Sequence, residues 1–253
     1  MQNRYVGDVG DFVKFALLRA LSPGHRLGVV WYLVPDESHN GDGRHVSYLR
    51  KNEWRHLDPQ VFDGLARIVA NGERSVAALE RFGLLRRCQF VSDLLPLPKA
   101  YAERAIARAE WLDSAVGKIR DCNLVFLDPD NGLQPERFRP ASAKAIKSAS
   151  FADLGRFRRP GRTLVVYHHH TRRKGGHAAE TRYNADRLRA HGFDRVDALR
   201  ANRYSPRAFF ILNATDEIRR RAAAFAREWG DQRVTWCENP TEAFYASGQA
   251  QAP

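Results

Sequence analysis

Cysteine is scarce in this chain. Cys88, Cys122 and Cys237 are far apart and form no CxxC pair, which excludes a disulfide framework and a thiolate zinc site and leaves reduced, mostly buried thiols. Long apolar runs are missing too. None approaches the roughly 20 residues needed to cross a bilayer, and the opening MQNRYVGDVGD has no signal-peptide core, so a cytoplasmic protein with no membrane partner is expected. No linker, internal repeat or low-complexity tract interrupts the 253 residues, so one α/β domain is expected over 1–240, with a flexible tail over 241–253. Acids are in deficit, at 29 Asp and Glu against 41 Lys and Arg, a formal charge of +12.

The excess is concentrated. Residues 137–174 hold eleven Lys or Arg and a single acid, Asp153. Such a segment suits a polyanion, because phosphate neutralisation gives affinity independent of base sequence. Arg137, Arg139, Lys144, Lys147, Arg172, Arg173 and Lys174 are therefore candidate nucleic-acid contacts, with a merely solvated basic face as the alternative.

Hydrophobic periodicity alternates between helix and strand. Residues 8–21 place Phe12, Val13, Ala16, Leu17, Ala20 and Leu21 on one helical face, with Asp11, Lys14 and Arg19 outside it. A strand over 27–34 follows, then helices over 60–71 and 73–82, a strand over 88–92 and a helix over about 99–119. The run 124–127 is a buried strand stopped by Asp128-Pro129-Asp130-Asn131-Gly132; 163–168 is another, and 177–191 a polar helix. Two late strands over 195–199 and 208–213 precede a helix capped by Thr215. Strands separated by helices predict a doubly wound, mostly parallel sheet of Rossmann-like architecture with helices on both faces, its late strands including an antiparallel pair.

In such sheets ligands bind beyond the carboxyl ends of the strands. Those ends carry Asp36, His39, Gly41, Asp42 and Gly43; Ser92 and Asp93; Asp128, Asp130 and Asn131; and His168, His169, His170 and Arg172, so four strands are expected to feed one crevice. Asn40-Gly41-Asp42-Gly43 reads either as a shortened glycine loop or as a plain turn. Asp8, before the opening helix, reads as its cap. Neighbouring histidines in a strand face opposite sides, so a three-histidine metal site is disfavoured, and one His, such as His169, is left as acid, base or stacking group.

The motifs Gly7-Asp8 through Asp11-Phe12-Val13-Lys14, Tyr32-Leu33 before Gly41-Asp42-Gly43-Arg44, and Asp128-Pro129-Asp130-Asn131 resemble class I S-adenosylmethionine-dependent methyltransferases, above all the bacterial large-subunit ribosomal RNA adenine group. The resemblance implies S-adenosylmethionine as cofactor and an RNA or DNA base as substrate. It places Lys14, Asp36, His39, Gly41, Asp42, Gly43, Ser92 and Asp93 around the cofactor and Asp128, Pro129, Asp130, Asn131 and His169 at the transfer site. The family has Asp-Pro-Pro-Tyr where this chain has Asp128-Pro129-Asp130-Asn131, so its base-stacking tyrosine is missing; His169, Tyr167 and Trp31 are the candidates to stack instead, with Trp31 and Tyr167, in apolar strands, reading first as core. Two other functions fit the residues: a nuclease or phosphohydrolase with Asp8, Asp36, Asp128, Asp130 and a His around magnesium, and a non-catalytic nucleic-acid-binding member of the fold.

Overall fold

The computed structural model describes residues 1–37, 43–139 and 141–241. Helix α1 (Val9–Leu21) leads into β1 (Leu27–Trp31); α2 (Pro59–Ala70) and α3 (Val76–Arg81) precede β2 (Cys88–Val91), and α4 (Tyr101–Lys118) precedes β3 (Leu124–Asp128). Two-residue strands β4 (Gly132–Leu133) and β5 (Ser148–Ala149), then α5 (Phe151–Phe157), lead to β6 (Thr163–His169). Helix α6 (Gly176–Ala190), β7 (Val196–Ala201), β8 (Arg207–Leu212), α7 (Asp216–Glu228) and β9 (Val234–Cys237) follow.

Seven strands form one sheet in the order β2-β1-β3-β6-β8-β7-β9. The first four are parallel; β8 runs antiparallel to β6, and β7 and β9 add further antiparallel pairs. The fold is thus the expected doubly wound α/β sheet. Side chains alternate between its faces as strand geometry demands. Val29, Trp31, Phe126, Val165, Phe209 and Ile211 face α1, α2, α3 and α7. Val30, Val125, Leu127, Leu164, Val166 and Phe210 face α4, α5 and α6. No helix among the described residues is long and apolar enough to cross a membrane.

The topology also locates a crevice. From β1 the chain moves outward to β2, then crosses back to β3 on the other side of β1, so the β1/β3 boundary is the switch point at which such sheets open for a ligand. Helix α1 lies over this boundary. Its Asp8 cap accepts from the Gly10 amide at 3.0 Å, which accounts for that acid structurally. The expected solvent face of α1 is absent: Asp11 and Lys14 are buried, at 2% and 4% exposure. The reason is packing on several sides. Phe15 and Leu18, outside the predicted stripe, are buried as well, and the polar pair points inward to Asp128.

Candidate functional site

A cavity of about 290 Å³ opens at the carboxyl edge of the parallel strands, on the α1 side of the sheet. Its wall includes Tyr5, Asp8, Lys14, His45, Asp128, Pro129, Asp130, Asn131, Tyr167, His169 and Arg207. Period-two alternation explains the grouping. Asp128 continues the face of Phe126, Tyr167 and His169 that of Val165, and Arg207 that of Phe209, so all four emerge on the same side beneath α1.

Lys14 is the electrostatic centre. Its Nζ lies 2.9 Å from Asp11 Oδ1 and 2.9 Å from Asp128 Oδ2, with the rings of Trp31 and Tyr167 5.4 and 5.5 Å away. Burial alone would lower its pKa, but the attraction of Asp11 and Asp128 outweighs burial and holds it above the ordinary lysine value. Lys14 is therefore a fixed cation. It ties up Asp128 Oδ2, and no donor among the described residues reaches Oδ1. The amino-terminal segment closes one side: the Met1 ammonium donates to the Tyr32 and Asp128 carbonyls at 2.8 and 3.3 Å, and Gln2 Nε2 to Asp130 Oδ2 at 2.9 Å.

The β2 end does not feed the crevice. Among the described residues three of the four ends reach it: Gly43 and His45 follow β1, Asp128, Pro129, Asp130 and Asn131 leave β3, and His169 ends β6, while the rest of the wall comes from α1, the amino-terminal segment and the region of β8. Ser92 and Asp93 are turned elsewhere: the Ser92 hydroxyl donates to Glu80, and Asp93 takes Lys118 Nζ at 2.5 Å. Asp36 accepts from the Arg4 amide at 3.2 Å and is not in the cavity wall. Gly43 is, at φ +78°, where a Cβ would stand 2.5 Å from the Arg4 carbonyl oxygen. His39, Gly41 and Asp42 lie outside the described residues.

The magnesium arrangement of Asp8, Asp36, Asp128 and Asp130 is not assembled. Asp8 is spent on the α1 cap and the His45 amide, Asp36 on Arg4, and Asp130 on Gln2, while the Lys14 ammonium already sits against Asp128. Among the described residues no group of three or more His, Cys, Asp or Glu side chains is placed to hold a metal ion.

The basic segment is divided as well. Arg156 pairs with Asp113, Arg158 and Arg159 donate to the Gly192 and Arg120 carbonyls, and buried Arg162 donates to four carbonyls at 2.9–3.1 Å. These four brace the entry edge of the sheet, opposite the cavity. On the cavity side Lys147 pairs with Glu37, and Arg173 binds Glu136 at 2.8 Å; Arg137, Arg139, Lys144, Arg172 and Lys174 are exposed. The single acid, Asp153, completes a capping box on α5 and takes buried Arg108 at 2.5 Å.

The three histidines divide between the sheet faces. His169 reaches the cavity, whereas His168 and His170 point to α6. Glu180 of α6 accepts from the Thr171 amide at 2.9 and 3.0 Å, from the Thr171 hydroxyl at 2.8 Å and from His168 Nε2 at 3.2 Å. Leu133 N donates to His168 Nδ1, which leaves Nε2 as the protonated nitrogen. Burial raises the Glu180 carboxyl, but the hydrogen bonds from His168 and Thr171 outweigh it and bring the pKa down to about 2. His170 is pushed down to about 3, by burial and then by His168.

Neutral in the fold but protonated below about 6.5 when unfolded, His170 draws the equilibrium toward the unfolded chain as pH falls from about 6.5 to about 3. Urea midpoints should therefore drop between pH 6.5 and 4, and the drop should be smaller in His170→Gln; equal pH dependence in both proteins would show that His170 is not the titrating group.

Arg207, His45 and Tyr5 were not anticipated as site residues. Arg207 flanks an apolar strand and gives no local signal; only the register of β8 against His169 brings it to the cavity. Comparison with known proteins adds nothing to this geometry, since neither a family model nor a curated protein sequence matches the chain.

Proposed function

We propose that this chain is an S-adenosylmethionine-dependent methyltransferase that acts on an amine of a nucleic-acid base, with Asp128 orienting the amine. One observation carries the reading: Lys14 locks the Asp128 carboxylate by Oδ2 while Oδ1 has no donor among the described residues, at a crevice on the switch point of the sheet. A carboxylate held rigid against a cation, with one oxygen available, is suited to accept an N–H and to aim the nitrogen lone pair at an electrophile.

The residues fit the cofactor in kind. Tyr5, Tyr167 and His45 offer flat faces for an adenine, and Asp130, which takes Gln2 on Oδ2, offers its Oδ1 as an acceptor for a hydroxyl or amino group. When bound, the cofactor supplies an electrophilic methyl group. The protein's own part is to place the amine, with Asp128 as acceptor and Pro129 stiffening the turn, and to exclude water beneath α1.

Calorimetric titration with S-adenosylhomocysteine tests the cofactor directly, and labelled methyl transfer from S-adenosylmethionine to cellular RNA tests the reaction. Saturable one-site heat is expected. No heat and no thermal shift at saturating ligand would overturn the reading.

A further inference from the structure

We propose that the turn between β7 and β8, residues 202–206, together with Arg207, grips the substrate strand: Arg207 takes a backbone phosphate inside the cavity and Tyr204 stacks a base at its mouth. The proposal rests on the nucleic-acid part of the reading above and not on the cofactor.

The other buried Lys and Arg among the described residues are matched. Lys14 has Asp11 and Asp128, Arg108 has Asp153 and two carbonyls, and Arg162 has four carbonyls. Arg207 is different. It is 3% exposed, its Nε donates to the Ser205 carbonyl at 2.9 Å, and no carboxylate among the described residues pairs with it. Its guanidinium lines the cavity against Gly10, where a Cβ would stand 2.1 Å from Nη1. A desolvated guanidinium without a counter-charge is costly, and a phosphate accepted by its two Nη groups would meet that cost with bidentate geometry.

Position favours a phosphate of the substrate over the carboxylate of the cofactor. β8 is two strands beyond β3, roughly 12 Å from the switch point between β1 and β3 at about 4.8 Å per strand, and on the side where exposed Arg172 and Lys174 leave β6. Tyr204 is a second, independent observation. It is 45% exposed, held at φ +62°, and seated against His45 and Trp54 at ring distances of 5.5 and 6.0 Å, with the Arg203 guanidinium 5.8 Å from its ring. His45 and Ser205 line the cavity on either side of it. This ring offers the stacking face that Asn131 does not.

The test is fluorescence anisotropy with a mixed-sequence single-stranded RNA, over a salt series and without cofactor. Arg207→Gln should weaken binding roughly tenfold and reduce the salt slope by about one. Arg207→Lys should weaken binding with the slope kept, since charge stays and the fork is lost. Tyr204→Ala should cost on the order of tenfold at unchanged slope, and Tyr204→Phe should bind as wild type. Exposed Tyr204 makes its variants readable even where Arg207→Gln fails to fold. Wild-type affinity and slope in both Arg207→Gln and Tyr204→Ala would overturn the proposal, as would no RNA binding by the wild type at low salt. Loss of S-adenosylhomocysteine binding in Arg207→Gln with RNA binding intact would also overturn it, by assigning the guanidinium to the cofactor. Failure of the methyltransferase reading alone appears differently, as absent S-adenosylhomocysteine heat with RNA binding unchanged.

Discussion

Replacing Lys14 by methionine should destabilise the protein by about 3–5 kcal/mol, the range for removing one partner of a buried ion pair. The side chain keeps its length and apolar stem, so packing against Trp31 and Tyr167 is largely retained and the loss is electrostatic. Asp11 and Asp128 would then face one another, buried at 2% exposure each, with no cation between them. The Asp11 carboxyl, which burial already holds above the ordinary carboxylate range against the pull of Lys14, would rise further without that cation, and a carboxyl shifted upward gains stability as pH falls. The deficit should accordingly shrink between pH 7 and 5. Urea denaturation followed by circular dichroism at both pH values measures it; a deficit below about 1 kcal/mol, the level of an exposed pair, would show that the three groups do not act as a buried unit.

The second large effect concerns turnover. On the proposed reading Asp128→Asn keeps the shape of the side chain but removes the ionised acceptor, and methyl transfer should fall by about 10²–10³, the loss seen when one preorganised polar group is removed from a transition state. S-adenosylhomocysteine affinity should change little, because Asp128 acts on the amine. Single-turnover transfer with saturating cofactor separates the two. Unchanged turnover would remove Asp128 from the chemistry and leave it as Lys14's structural partner.

In the parallel half of the sheet β1, β3 and β6 were legible because they are largely apolar runs that stop on Pro and Asp or on His. Asp128 at the exit of β3 was legible for the same reason. Other features depend on partners distant in the chain. The burial of Asp11 and Lys14 could not be read from the helical stripe of α1, since the carboxylate they meet lies 114 residues beyond Lys14. β9, four residues long and partly exposed at the sheet edge, has no apolar run to betray it. Charge counting located the basic segment correctly but not its geometry: Arg156, Arg158, Arg159 and Arg162 brace the far edge, so proximity in sequence to Asp130 did not mean proximity in space. Arg207 was missed through the same limitation. Its role follows from an antiparallel register that local composition does not encode.

Gly132 gives the Asp128–Asn131 loop its independence. At φ +86° its missing Cβ would stand 2.5 Å from the His168 Cα, and the adjoining backbone is pinned by Asn131 N on the Lys147 carbonyl, at 2.7 Å, and by Leu133 N on His168 Nδ1. Main chain and glycine, together with a histidine on the opposite face, hold this corner in place. The main chain of this corner therefore stands without help from the side chains it carries, and Asp130 is left for a separate task, holding Gln2 of the amino-terminal segment: exchanging Asp130 would loosen the segment that closes the crevice before it moved the corner itself.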